Sequence, residues 1–197
     1  MSLIGRKDCD LAGFVFKGQL ADVSLEAVLK PKSSSGQLDL SDIKRKVSID
    51  ILDSDAVAAA TRMSGVYIAI ASFENMVRDL IANRLFEEKG ADWWGKHVNV
   101  DIRNRAEKKI EDEERIRWHK SRGLSPIFFT ELKDLISIIH GNWESFEDLL
   151  PDIEWVRHII RTIERSRNVI MHSGQLSLED VERVGMIMRD WIRQVGS

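Results

Sequence analysis

"PDIEWVRHIIRTIERSRNVIMHSG", residues 151–174, decides how this chain is read. Behind Pro151, the residues Ile153, Val156, Ile160, Ile163, Arg167 and Ile170 recur at steps of three and four, the period of an amphipathic helix. Arg167 takes a place in that stripe where packing favours a hydrophobe. A charge there is costly unless it is paired or reaches a wet cleft. Asn168 and His172 follow within a turn and a half, and Gly174 is read as the helix stop. At about 100° per residue, Asn168 and His172 lie about 40° apart, but Arg167 and His172 about 140° apart. One ideal helix therefore does not aim the arginine and the imidazole at one point. A break at Ser173–Gly174, or a second copy of the helix across a dimer interface, would supply the convergence.

Outward from this helix the pattern stays helical. From Asp55, the residues Met63, Val66, Ile70, Phe73, Val77, Leu80 and Arg84 form an apolar stripe more than six turns long, flanked by Tyr67 and Ile81 and ending near Gly90. "ADWWGKHVNV" reads as a turn, and "DIRNRAEKKIEDEERIRWHK" as a charged surface helix with a thin stripe of Ile102, Ala106, Ile110 and Ile116. Thr130 is placed to cap "ELKDLISIIH", and Ser177 with Asp180 to open "LEDVERVGMIMRDWIRQV". The expectation is an all-α, up-and-down bundle of about five helices over residues 55–197. Residues 1–54 read as an extension or small sub-structure. There "LAGFVFKGQLADVSLEAVLKPKSSSGQ" and "RKVSIDIL" leave room for one or two short strands between Gly, Ser and Pro breaks.

Composition narrows the partners. With 43% hydrophobic and 31% charged residues in 197, the chain is globular in character. A formal net charge of −3 argues against coating nucleic acid by bulk charge, while leaving a local basic patch open. The lone Cys9 excludes a disulfide framework or cysteine-based zinc site and fits a reducing cytoplasm. No apolar run is read as approaching the ~18–20 residues of a membrane span, and no signal-peptide core precedes the chain's charged start, so no membrane partner is expected. With no H-E-x-x-H, clustered Asp-x-Asp or cysteine ligands, neither a metal nor another cofactor is expected.

The chemistry available to Arg167, Asn168 and His172 is that of a phosphodiester. A guanidinium fork matches a phosphate, and an imidazole moves a proton on or off oxygen near neutral pH. Arg157, Arg161, Arg165 and Arg167 against a lone Glu164 make the end of this helix locally basic. RNA is the natural ligand, because its 2′-hydroxyl is an internal nucleophile.

At this point the residues resemble a known family. Arg167-Asn168-x-x-x-His172, followed by a small residue and Gly, is similar to the R-N-x-x-x-H motif of HEPN domains. "ASFENMVRDLIANRL", then "DWW", then "FFTELKDLISIIHGNWESF" ahead of the motif helix follow the order of one HEPN subgroup. That subgroup is associated with a eukaryotic transcript-surveillance endoribonuclease and with bacterial standalone proteins, and the resemblance covers roughly residues 60–195. It implies a helical bundle that forms homodimers with the motifs facing one another. It further implies metal-independent RNA cleavage, often in toxin–antitoxin or antiphage systems with a cognate antitoxin or defence protein. In that scheme Arg167 meets the scissile phosphate, His172 is the general acid or base, and Asn168 positions one of them. Arg161 and Arg165 would track RNA. Many HEPN members instead only bind nucleotides or proteins.

Plainer readings stand beside this one. Arg167 can pair with a core acid, and Glu74, beside Phe73 and Val77, is a ready partner. Glu74 can equally pair with Arg78 one turn on. His172 can be a simple helix cap. His97, His119, His140 and His158 are expected to be structural, and the six tryptophans mostly core.

Overall fold

The computed structural model describes residues 39–116, 118, 123 and 125–196, and these contain seven α-helices and no strand. The chain divides into two compact units, Met1–Leu52 and Asp53–Ser197.

In the first unit α1 (Leu40–Lys46) is opened by Asp39, whose side chain accepts from the Leu40 N–H at 2.7 Å. Lys44, Arg45 and Lys46 sit in its last turn, where cations oppose the negative end of the helix dipole. "RKVSIDIL" therefore finishes a helix and turns through Ser48 (φ 52°) into a 3₁₀ turn, Ile49–Ile51, instead of forming a strand. Hydrophobic residues alone gave the wrong period there, because Asp39 capping decided for helix. The other strand-like stretch lies outside the described residues.

The second unit is built on α2 (Ser54–Lys89), 36 residues long. Asp53 caps its start through a bond from Ala56 N at 2.8 Å. Gly90 ends it with φ 81°, a conformation L-residues avoid. Only the C-terminal part of α2 enters the core, through Ile70, Phe73, Val77, Ile81 and Leu85. The stripe thus drifts from the expected Leu80 and Arg84 to Ile81 and Leu85. Arg84 instead pairs with Glu88 and Asp148 and donates to the Ser145 carbonyl. The amino-terminal part is exposed, with Tyr67 and Ile68 uncovered. An 18-residue window of α2 has mean hydropathy 1.4, enough by length and composition to cross a membrane, and 11% of it is buried. This corrects the expectation that no run reaches that length; Thr61, Arg62, Ser64 and Gly65 break the run to the eye, but the aliphatic residues around them keep its average high.

After α2, "ADWWGKHVNV" contains a one-turn helix, α3 (Trp93–His97), followed by α4 (Val100–Glu114). α4 is shorter than expected: Arg115 is its cap, and it buries only Ile102 and Ala106. A 3₁₀ turn (Pro126–Phe129) leads to α5 (Leu132–Gly141). The cap of α5 is Glu131, in a capping box with Asp134, whose carboxylate accepts from the Glu131 N–H at 3.0 Å. Thr130, the expected cap, spends its hydroxyl on the Ile127 carbonyl at 2.6 Å. Asn142 ties α5 to the end of α3, donating to the carbonyls of His97 and Ile138 at 2.9 Å each.

α6 (Ile153–Met171) carries the motif and α7 (Leu178–Val195) closes the chain. α6 runs antiparallel to α2, since Arg167 meets Glu74 while Leu176 N reaches Met63 Sδ at 3.4 Å. α7 turns back along α6, with Trp191 stacked on Trp155 (centroids 5.5 Å, 9° between planes) and edge-on to Phe73. Ser177 caps α7 as expected, accepting from Asp180 N at 3.2 Å. Of the tryptophans, Trp93 and Trp191 are buried and Trp118 is exposed.

Trp191 is fully enclosed, yet its Nε1–H has no partner. Trp191→Ala should therefore lower stability by about 3–5 kcal/mol in denaturant titrations. Trp191→Phe should cost clearly less, since it keeps a ring and removes the orphaned donor.

Candidate functional site

α6 buries Val156, Ile159, Ile160, Ile163 and Ser166. The place in the stripe given to Arg167 is in fact held by Ser166, and Arg167 stands at the stripe's edge with its side chain 40% exposed. From there Arg167 Nε lies 2.8 Å from Glu74 Oε1. The N–H is not aligned on that oxygen, which is left without a hydrogen bond. This is a close ion pair without the directed bond that makes such pairs strong. Glu74 Oε2 meanwhile accepts from both terminal nitrogens of Arg78 at 3.3 Å. The two alternatives open in the sequence are both realised: Glu74 joins Arg78 and Arg167 at once. Arg78 also donates to the Thr130 carbonyl at 3.4 Å, and its Nε is buried without a partner.

These groups line a cleft of about 390 Å³ where α2, α4, the start of α5 and α6 meet. Its walls are Glu74, Arg78, Lys109, Phe128, Thr130, Glu131, Leu132, Glu164, Arg167 and Asn168. Glu131 is held below the ordinary carboxylate range by hydrogen bonds from Lys133 and Lys109, so it is ionised at neutral pH. Three carboxylates thus face three cations around the walls. The cleft does not trap anions by bulk charge, and only directed donors can recognise a phosphate in it.

The structure gathers Glu74, Arg78, Arg167 and Asn168 at this cleft. His172, Arg161 and Arg165 are not in its walls. His172 is the C-cap of α6, one turn or about 6 Å along the axis from Asn168. Its ring is exposed and bonds to no described residue. Arg161, Arg165, Asn168 and His172 are all exposed and fall within a sector of about 60° on α6. The predicted separation of Arg167 from His172 therefore holds. The helix end does not cancel it.

That end is a Schellman motif: Gly174 N–H bonds to the Val169 carbonyl at 2.8 Å and Ser173 N–H to the Ile170 carbonyl at 3.0 Å. The left-handed residue is Ser173 (φ 63°), not the glycine. Gly174 is needed for close approach instead, because a Cβ there would meet the Val169 carbonyl oxygen at 2.8 Å. The loop beyond is steadied against α2 by Arg62 reaching Gln175 at 3.5 Å.

Lys109, Phe128, Thr130, Glu131 and Leu132 were not legible as site residues. They lie 35 to 58 positions earlier in the chain than Arg167, and only packing brings them to it. Glu164 was within reach of sequence reasoning, since it precedes Asn168 by one turn.

A family model described as Swt1-like HEPN matches residues 69–196. The chain belongs to the Swt1-like HEPN family. No curated protein and no solved structure matches it. The HEPN match starts inside α2 and runs to the end of α7, so it takes in the whole cleft and the motif. It makes this a HEPN domain of a generally ribonuclease-related kind.

Two stability outcomes follow. Glu74→Ala leaves the buried Arg78 charge uncompensated and should cost about 3–5 kcal/mol, whereas Arg167→Ala should cost under about 1 kcal/mol because Arg167 is half-solvated. Denaturant midpoints of the two variants check this order. Gly174→Ala should lower the melting temperature by several degrees, corresponding to about 1–3 kcal/mol of overpacking against Val169.

Proposed function

We propose that this HEPN domain is a metal-independent endoribonuclease. The observation that carries the reading is Arg167. It is poised at the cleft with its terminal nitrogens unbonded to any described residue, beside Asn168 and about a turn and a half from the unpaired ring of His172. Arg167 binds a non-bridging oxygen of the scissile phosphate through its free terminal nitrogens while Glu74 fixes the other edge of the guanidinium. His172 takes the 2′-hydroxyl proton as base or delivers one to the leaving 5′-oxygen as acid. The 2′-oxygen attacks phosphorus, the bond to the 5′-oxygen breaks, and a 2′,3′-cyclic phosphate and a 5′-hydroxyl result. Asn168 orients the phosphate, and Arg161 and Arg165 follow the RNA backbone along the same exposed face.

Because Arg167 and His172 diverge on one helix, the reading places two copies of the chain face to face, each His172 serving the phosphate held by the other copy's Arg167. Exposed Val169 and Met171, between Asn168 and His172, supply apolar surface for that contact. The cellular setting in this reading is the cytoplasm, in a toxin–antitoxin or antiphage system with a cognate antitoxin or defence protein.

One observation favours a second reading: His172 is absent from the walls of the cleft that holds Arg167. A domain that binds a nucleotide or a protein without cleaving RNA needs the cleft and not the imidazole. RNA cleavage in excess chelator separates the two. The endonuclease should yield cyclic-phosphate ends, and His172→Ala or Arg167→Ala should slow it by at least about 10²-fold. Cleavage abolished by the chelator or unaffected in His172→Ala overturns the first reading, and nucleotide-dependent stabilisation without turnover supports the second.

A further inference from the structure

The cleft beside Arg167 is far larger than a phosphate requires, and Phe128 and Leu132 stand among its otherwise polar and charged walls. Phe128 enters it from the 3₁₀ turn, half-buried, with Gly123 pressed so closely on one flank of the ring that a Cβ there would approach Cγ at 2.9 Å. Leu132, buried, adds a second apolar surface. The remaining walls combine hydrogen-bond acceptors, Glu131 and Glu164, with the donor Lys109.

Resting on the endoribonuclease reading, we infer that this cleft is a nucleobase subsite. The base of the nucleotide next to the scissile phosphate lies against Phe128, with its phosphate at the Arg167 edge. Three features select a base over other occupants. About 390 Å³ suits a single nucleotide and is too small for a helix. Glu131 and Glu164 repel a polyphosphate but can accept from the amino and imino groups of a base. An aromatic face beside a guanidinium is the usual means by which unpaired bases of single-stranded RNA are held. The 3₁₀ turn is rigidly placed for this: Thr130 bonds back to Ile127, and Arg78 bonds to the Thr130 carbonyl. The same Arg78–Glu74 pair that holds Arg167 therefore also anchors the turn carrying Phe128, coupling base position to phosphate position. Phe128 is a binding residue in this scheme and takes no part in proton transfer.

The test uses short RNAs made uncleavable by 2′-O-methylation and carrying one 2-aminopurine, whose fluorescence is quenched by stacking. Wild type should quench it. Phe128→Leu, which keeps apolar volume without a π-face, should bind about tenfold more weakly and lose the quenching, and Phe128→Tyr should restore both. Absence of quenching in wild type, or Phe128→Leu binding and quenching unchanged, overturns the inference; so does inorganic triphosphate competing better than a nucleoside monophosphate. The endonuclease reading fails separately. Phe128-dependent quenching without cleavage of unmodified RNA sinks the nuclease and leaves the subsite, while cleavage with a KM indifferent to Phe128→Leu sinks the subsite alone.

Discussion

One carboxylate shared by two guanidiniums governs the site. Glu74 is buried in α2, where a lone charge would be too costly to keep, and Arg78 one turn on makes its burial tolerable. Two guanidiniums against that one carboxylate leave a net positive charge at the helix junction. It falls on Arg167, the more exposed of the two arginines and the one whose bond to Glu74 is poorly aligned. The arrangement fixes the base of the Arg167 side chain and leaves its end available. Replacing Glu74 by a hydrophobe would pack more simply and strand both cations, one of them buried.

The rest of the bundle serves to bring other elements to that point. Antiparallel α2 and α6 set Glu74 opposite Arg167, Arg78 reaches across to the Thr130 carbonyl, and the capping box at Glu131 starts α5 beside the cleft. At the far end of α6 the Schellman turn is held by Gly174 against Val169 and braced on Met63, so His172 is a rigidly placed cap with a free ring. The site thus has two parts with different environments. Arg167 works within a half-enclosed, charge-balanced cleft, and His172 stands in solvent on the neighbouring face. Electrostatic contacts made in the cleft are less screened than those on the open stripe of Arg161 and Arg165.

The HEPN match begins at residue 69, near the level where α2 enters the core. The family relationship therefore coincides with the packed part of α2, and the exposed, alanine-rich turns before it lie outside the match. Their composition is apolar enough for burial, but the second unit does not bury them. Helical propensity and the Asp53 cap account for the helix there, because packing within the unit does not.

The sequence by itself determined the five main helices of the second unit, several of their ends, and the motif. Period, Asp53, Gly90 and Ser177 act locally, within a few residues of the backbone they control. It also determined that Arg167 and His172 diverge, since helix geometry fixes their angle. Local signals failed where two neighbours competed for one role: Ser166 over Arg167 for the core stripe, Glu131 over Thr130 for a cap, Ser173 over Gly174 for the left-handed turn. Those contests are settled by what packs against the helix, not by the residues' own preferences. Only the tertiary structure could decide that Glu74 serves both arginines and that Phe128, Lys109 and Glu131 stand beside them. The physical reason is that a cleft belongs to several elements at once, and their meeting depends on how buried faces interlock across the core, which no stretch of sequence states on its own.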